Sequence, residues 1–322
     1  MYPLLPQPTA LENLLNLKLP SPVTSIDFKN SREKNIKVLL KRDELIHPVI
    51  SGNKWRKLKY NLMDLIEQDI QQVVSFGGAW SNHLHALACC CCHLNIRLTA
   101  MIRGEPTDTP SAMLQDLMDW GVEIQWLDRQ TYRLRSDKNW LESLSRQFPQ
   151  ARIIPEGGSN ELALKGVSEI LSEQTLEFDS VCCAVGSTGT LAGLVTKVAQ
   201  PCQVIGIPVV KGGKPLMSEV KRLLQTVGID KHSWQLISGY EQGGYAKMNE
   251  NLASYIQNFY QRHQIILDQV YTGKLLMAVE DLIKKDFFKA NSKILVIHSG
   301  GLQGLRGENH YHLADWYQNL IE

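Results

Sequence analysis

"SVCCAVGSTGTLAGLVTKVA", residues 180–199, opens as small and β-branched apolar residues, breaks at glycine and hydroxyl residues, then resumes with apolar positions at helical spacing. A strand that feeds a helix through a glycine-rich turn is the repeating unit of a parallel α/β sheet. Gly186, Gly189 and Gly193 remove Cβ atoms where the backbone must turn tightly. The amides of Ser187 to Thr190 can then face an anion at the helix start, with the hydroxyls of Ser187, Thr188 and Thr190 as further donors. No Gly-Lys-Ser/Thr follows, so the turn is not a Walker A loop, and its spacing is not G-x-G-x-x-G. A phosphate cup and an ordinary strand–helix turn both remain open on this stretch alone.

The same alternation runs through the chain. "IKVLLKR", "QQVVSFGG", "RLTAMI", "VEIQWL", "ARIIP", "CQVIGIPV" and "KILVIHSGG" read as further strands with amphipathic helices between them. The fold class expected is α/β, as two doubly wound, mainly parallel-sheet lobes with a cofactor cleft between them. Ligands of such sheets bind where strands end and loops lead into helices. Glycine and small polar residues gather there four times: "SFGGAWSNH" (75–83), "PEGGSNE" (155–161), "AVGSTGTLAG" (184–193) and "IHSGGLQG" (297–304). With no long linker, the chain is expected to cross between lobes near residues 52 and 165. Residues 1–52 plus 166–322 then form the larger, phosphate-binding domain, and 53–165 a smaller inserted one.

The totals exclude several classes of function. Lys plus Arg number 34 against 33 Asp plus Glu, a net charge of +1, which gives no field for attracting nucleic acid or an anionic membrane. "MYPLLPQPTALENLL" has no basic region before an apolar run, so no signal peptide is read there. "LHALACCCCHLNI" is too short and too interrupted by histidine to span a bilayer. The 7 cysteines are odd in number and four are contiguous at Cys89 to Cys92, which is no disulfide framework and points to a reducing, cytoplasmic compartment.

Three segments bear candidate chemistry. In "SGNKWRKLKYNL" (51–62), four cations crowd the first turns of a helix, where the partial positive charge of the N-terminus disfavours them. Trp55, Leu58 and Leu62 face inward and Lys57 and Lys59 outward to solvent on an amphipathic reading. Gly52-Asn53 before Lys54 instead makes a turn that presents one lysine to a cleft. In "GGAWSNHLHALA", Ser81 is a plausible N-cap and Asn82 follows with its amide toward the cleft. A hydrolase with Ser81 as nucleophile and His83 or His298 as base is the rival, but the run lacks the G-x-S-x-G elbow. His83, His85, Cys89 and His93 raise a metal site, yet zinc ligands come from separate segments and no second pair stands out, so core packing is preferred and no metal is expected.

A cleft lysine forms an imine with an aldehyde, and a phosphorylated aldehyde needs a glycine-rich cup. A lysine and a phosphate cup on opposite lobes are what pyridoxal 5'-phosphate requires. At this point the residues resemble the tryptophan-synthase-β-like (fold type II) pyridoxal-phosphate enzymes. Within these they resemble the D-cysteine desulfhydrase and 1-aminocyclopropane-1-carboxylate deaminase branch. "GNKWRKLKY", "GGAWSNHLHALA", "PEGGSNELALKG", "GSTGTLAGL", "DQVYTGK" (268–274) and "IHSGGLQGL" match that branch in order, across most of the chain.

The resemblance implies roles by position. Lys54 would bind the cofactor covalently and later carry the Cα proton, its amine kept neutral by burial beside cationic neighbours, Arg56 and Lys57 among them. Asn82 would hold the cofactor's phenolic oxygen and Ser81 the substrate carboxylate. Gly186, Ser187, Thr188, Gly189 and Thr190 would take the phosphate, and Ser299 would meet the pyridine nitrogen. Tyr271 and Tyr245 would line the substrate side. Activity is expected to be β-elimination from a small amino acid, with D-cysteine giving pyruvate, ammonia and hydrogen sulfide. The late motif Tyr271-Thr272-Gly273-Lys274 lacks the glutamate of the cyclopropane deaminases, and His83 stands where those enzymes carry glutamine. The alternatives are 1-aminocyclopropane-1-carboxylate deamination, another small D-amino-acid ammonia-lyase, a cofactor-binding module without turnover, and a doubly wound protein for some other phosphorylated ligand. A homodimer is also implied. Trp80, where relatives often carry glutamine, departs from the pattern and would alter the wall beside Ser81, while Ser299, where they often carry threonine, is a chemically mild departure.

Overall fold

The computed structural model describes residues 7–307; the start of the N-terminal segment quoted above and the end of the proposed larger domain lie outside them. The strands are β1 (Val23–Ile26), β2 (Lys37–Lys41), β3 (Gln72–Gly77), β4 (Arg97–Arg103), β5 (Glu123–Leu127), β6 (Ala151–Ile154), β7 (Ser180–Val185), β8 (Gln203–Pro208), β9 (Trp234–Leu236) and β10 (Lys293–Ile297). The helices are α1 (Pro8–Leu14), α2 (Lys29–Glu33), α3 (Asn53–Glu67), α4 (Asn82–Leu94), α5 (Ala112–Asp119), α6 (Arg129–Arg133), α7 (Lys138–Gln147), α8 (Glu161–Ser172), α9 (Gly189–Lys197), α10 (Gly213–Thr226), α11 (Glu250–His263) and α12 (Thr272–Lys284).

They build two sheets. The larger runs β1-β2-β10-β7-β8-β9, parallel except that β1 pairs antiparallel with β2. The smaller runs β5-β4-β3-β6 and is wholly parallel. Both faces of β7 are covered: Cys182 and Ala184 join the core under α11 and α12, while Val181, Cys183 and Val185 join the core under α8, α9 and α10. A strand buried on two sides needs an unbroken apolar run, which is why "SVCCAV" does not alternate. In the smaller sheet, Val73, Leu98 and Ile154 pack with α3, α4 and α5, and Val74, Phe76 and Met101 pack with Tyr132 and Leu144 on the other face. Leu11 and Leu15, at α1, pack into this smaller half as well.

All eight strands named from the sequence are present. The two that escaped it, β1 and β9, are short edge strands with little buried surface to create a pattern. The four glycine-rich junctions lie at the carboxyl ends of β3, β6, β7 and β10.

Candidate active site

The first pieces to meet are the start of α3 and the end of β10. Gly52 takes φ 65°, and a Cβ there would overlap the carbonyl oxygen of Ser299, so only glycine lets the two chains touch. The amide of Asn53 donates to that carbonyl at 3.3 Å, and the amide of Gly52 donates to the carbonyl of Asp43 at 2.9 Å. One turn on, the buried Arg56 donates to both carboxylate oxygens of Asp43 (3.1 and 3.0 Å) and to Glu173 (2.5 Å). A guanidinium with no exposure is tolerable only with such full pairing. Between these anchors, Lys54 Nζ donates to Asn53 Oδ1 at 3.0 Å. Burial brings its amine down to about 8 while the carboxylate of Asp268 pulls it back up.

The amphipathic reading of α3 needs correcting. Lys57 is fully buried and Lys59 is 5 % exposed; neither faces solvent. Lys59 pairs with Glu12 and Glu169 at 2.8 and 2.7 Å. Nor do Arg56 and Lys57 set the basicity of Lys54, for burial does so and Arg56 is spent on carboxylates. Lys57 reaches the β7–α9 turn, donating to Ser187 Oγ at 3.0 Å, Ser159 Oγ at 3.1 Å and the Gly157 carbonyl at 3.3 Å. Desolvation, then the neighbouring charge of Lys54, lowers its pKa well below the ordinary lysine range. Sequence reasoning missed it; its position three residues after Lys54, on the same helix face, was the available signal.

The turn beneath Lys57 is tight. A Cβ on Gly189 would lie 2.7 Å from Ser159 Oγ, and one on Gly186 2.8 Å from the Tyr271 ring. Thr190 Oγ1 accepts from Asn53 Nδ2 at 2.7 Å, tying this turn to the residue before Lys54. Thr188 Oγ1 is buried with no hydrogen-bond partner. Tyr271 and Tyr245 meet hydroxyl to hydroxyl at 3.1 Å, and burial pushes the Tyr271 phenol well up. Lys274 holds the loop carrying Tyr245 by donating to the Gly244 carbonyl at 2.8 Å.

Across the cleft Ser81 caps α4, its Oγ accepting from the amide of Leu84 at 3.2 Å. Asn82 Oδ1 accepts from Gln303 Nε2 at 2.7 Å, which leaves the Asn82 amide nitrogen as the donor toward the cleft, next to Gly301. Ser75 Oγ donates to the Ile154 carbonyl at 2.8 Å, so it must accept from His83 Nε2–H at 2.8 Å. His83 Nδ1 is then a bare, buried lone pair, and burial with the charges of Lys54 and Lys57 keeps the ring neutral. His298 Nε2 bonds the Ile266 carbonyl at 2.8 Å. His298 is engaged by the Ile266 carbonyl, the free Nδ1 of His83 lies against Gly158, and Ser81 serves as a cap, so neither imidazole bonds Ser81 as the hydrolase reading needs. His85 pairs with Asp116 at 2.7 Å, and no group of three metal-ligating side chains occurs among the described residues.

Lys54, Asn82, Ser81, Gly186 to Thr190, Ser299, Tyr245 and Tyr271 thus gather at facing strand ends. Trp80 stands apart, 38 % exposed against Gly307. The residues fit a phosphorylated aldehyde: a deprotonable buried amine, a glycine cup too tight for side chains, an orphaned threonine hydroxyl at a helix start, and a second lysine over the cup.

A half-buried lysine of lowered basicity at the start of α3 and a tight glycine-rich turn at the start of α9, between two mainly parallel sheets, are the layout of a pyridoxal-phosphate enzyme of fold type II. The chain belongs to the pyridoxal-phosphate-dependent enzyme family, whose sequence profile matches residues 16–300. It is 30 % identical to a Pyrococcus horikoshii protein provisionally named 1-aminocyclopropane-1-carboxylate deaminase, over 90 % of this chain and 91 % of that one. It is 28 % identical to the D-cysteine desulfhydrase of Klebsiella pneumoniae, over 83 % and 88 %. A crystal structure of an ACC deaminase homologue superimposes with a TM-score of 0.79 at 28 % identity, covering 99 % of this chain and 100 % of that one. The protein is a pyridoxal-phosphate-dependent lyase acting on a small molecule. No helix among the described residues is long and apolar enough to cross a membrane.

Proposed function

We propose that the enzyme catalyses β-elimination from a small D-amino acid, D-cysteine foremost, with D-cysteine and water giving pyruvate, ammonia and hydrogen sulfide. The observation that carries this reading is the state of Thr272. It is fully buried, and its hydroxyl donates to Asp268 Oδ1 at 2.7 Å and accepts from the Asp268 amide at 3.0 Å. Where the cyclopropane deaminases resembled above carry a glutamate, this chain has a small side chain whose hydroxyl is taken up by Asp268, with no acid at that position to assist ring opening.

The bound cofactor supplies an electron sink that makes the substrate Cα–H acidic. Lys54 would hold the cofactor, and its amine, brought down to about 8 by burial, would take the Cα proton on Nζ near neutral pH. Ser187, Thr188, Thr190 and the amides around Gly186 and Gly189 would hold the phosphate, with Lys57 Nζ, which donates to Ser187 Oγ, as a further donor beside them. Asn82 donates to the ring oxygen. Ser299 would meet the ring nitrogen with a neutral hydroxyl, which would hold a proton there less firmly than a carboxylate and so favour prompt loss of a β leaving group. Ser81, whose O–H remains to donate while Oγ caps α4, receives the substrate carboxylate with the helix start. Tyr271 and Tyr245 close the substrate side.

Cyclopropane deamination is the second reading, supported by the names of the Pyrococcus relative and the superimposed structure. Keto-acid assays separate the two: pyruvate from D-cysteine is expected, and 2-oxobutyrate from the cyclopropane amino acid with no pyruvate from D-cysteine overturns the first. Residues 1–52 plus 166–322 and 53–165 are proposed as the two domains, supported by the division of strands between the sheets. A homodimer in the reducing cytoplasm is proposed too; seven free cysteines support the compartment, and light scattering tests the dimer.

A further inference from the structure

Arg103 ends β4, the strand beside β3. Ile102 is in register with Gly77, so Arg103 stands beside the turn that leads into Ser81. Its Nη2 lies 3.8 Å from where a Cβ on Gly78 would be, and its guanidinium is 5.8 Å from the ring centre of Tyr132. Burial raises the Tyr245 phenol, and the charge of Arg103 acts in the opposite direction. Arg56 is paired with Asp43 and Glu173, Arg135 with Glu156 and Arg306 with Asp116. Arg103 has no carboxylate partner among the described residues. It is exposed to solvent and lines a cavity of about 560 Å³ with Ala79, Trp80, Glu105, Trp126 and Arg306.

We propose that Arg103 reads an anionic group on the substrate side chain, so that β-substituted alanines with a negatively charged leaving group are substrates beside D-cysteine. Serine phosphate esters and cysteine S-sulfonates form this class. With O-phosphoserine, Lys54 takes the Cα proton, the Cβ–O bond breaks with its electron pair leaving on phosphate, and water then displaces nitrogen. The products balance as pyruvate, ammonia and inorganic phosphate. This inference rests on the reading of Ser81 and the start of α4 as the carboxylate site.

Two measurements on the holoenzyme test it separately from that reading. In the first, kcat/KM for O-phosphoserine and for cysteine, each of the hand the enzyme accepts, is compared in wild type and Arg103→Ala. The ratio of the two is expected to fall about ten- to hundred-fold in the variant, as for loss of one charge-assisted hydrogen bond. In the second, calorimetry compares succinate with propionate, which differ by one carboxylate and carry no amine to react. Succinate is expected to bind at least about ten-fold tighter, with the advantage gone in Arg103→Ala. An unchanged kinetic ratio, or equal binding of succinate and propionate in wild type, overturns the assignment. If neither amino acid turns over while succinate preference still depends on Arg103, the elimination reading fails and the anion site stands.

Discussion

The β7–α9 and β3–α4 junctions look alike: a buried strand, a glycine-rich turn, hydroxyl residues, a helix. They differ in who completes them. At α4 the protein does, since Ser81 accepts from the Leu84 amide and Asn82 is held by Gln303. At α9 the N-cap residue Thr188 makes no side-chain cap bond, and its hydroxyl is buried without a partner. A helix start hidden from water with its donors unmet is costly unless a ligand meets them. An unmade hydrogen bond, more than the glycine spacing, tells the phosphate cup from the substrate-side turn.

The hardest break of this contrast removes the lysine at the start of α3, whose neighbour Asn53 is tied to the β7–α9 turn through Thr190. Lys54→Ala is expected to abolish the visible absorbance of the lysine-bound cofactor and to lower turnover at least about 10³-fold, within the range of a positioned proton-transfer group. An unchanged spectrum would refute the lysine assignment. The same residue sharpens the contrast through pH. Burial lowers the Lys54 amine from 10.5 to about 8. Only the neutral amine attacks an aldehyde. Reloading of cofactor-stripped protein is therefore expected to speed about ten-fold per pH unit up to pH 8 and then level off. An unburied lysine would keep accelerating toward 10.5, so a rise continuing past pH 9.5 would contradict the burial.

The sequence carried the parallel strands because both faces of β7 are covered, leaving an apolar run with no polar interruption. Lys54 was legible because Gly52-Asn53 is a poor helix interior and a good hinge. Lys57 was not. Its cost of burial is offset by Ser159 and Ser187, 102 and 130 residues away, and no local pattern announces partners at that separation. Arg56 hid for the same reason, its charge met by Asp43 and Glu173 from other elements. Periodicity sorts residues by apolarity, so a buried cation with distant partners reads as surface.

The next test swaps one hydrogen for a methyl in each turn. In Gly189→Ala the new Cβ meets Ser159 at 2.7 Å and Lys57 Cε at 3.3 Å. Cofactor affinity is expected to drop about ten-fold or more, and stability by ~1–3 kcal/mol, through overpacking of the cup. In Gly78→Ala the nearest atom is Arg103 Nη2 at 3.8 Å, an ordinary contact at the end of a flexible side chain. Its stability is expected to stay within about 0.5 kcal/mol of the parent, with cofactor affinity unaltered. Fluorescence titration of cofactor and denaturant melts measure both. Equal losses in the two variants would mean that the turns are equally crowded and that the cup is no cup.

The smallest effects separate the two hydroxyls. Ser81→Ala deletes a cap acceptor and is expected to cost about 1 kcal/mol, with or without cofactor. Thr188→Val keeps the shape of the side chain and deletes an oxygen that bonds nothing in the protein. The stripped protein is therefore expected to melt where the parent does or slightly above, because a buried unpaired hydroxyl stabilises nothing. Cofactor affinity should fall about ten-fold, since the lost bond is one to a phosphate oxygen. Melting of stripped and loaded forms of both variants gives four numbers. If Thr188→Val lowers the stripped melting point as far as Ser81→Ala does, Thr188 is an ordinary cap, and the distinction between a turn closed by the chain and one closed by its ligand is lost.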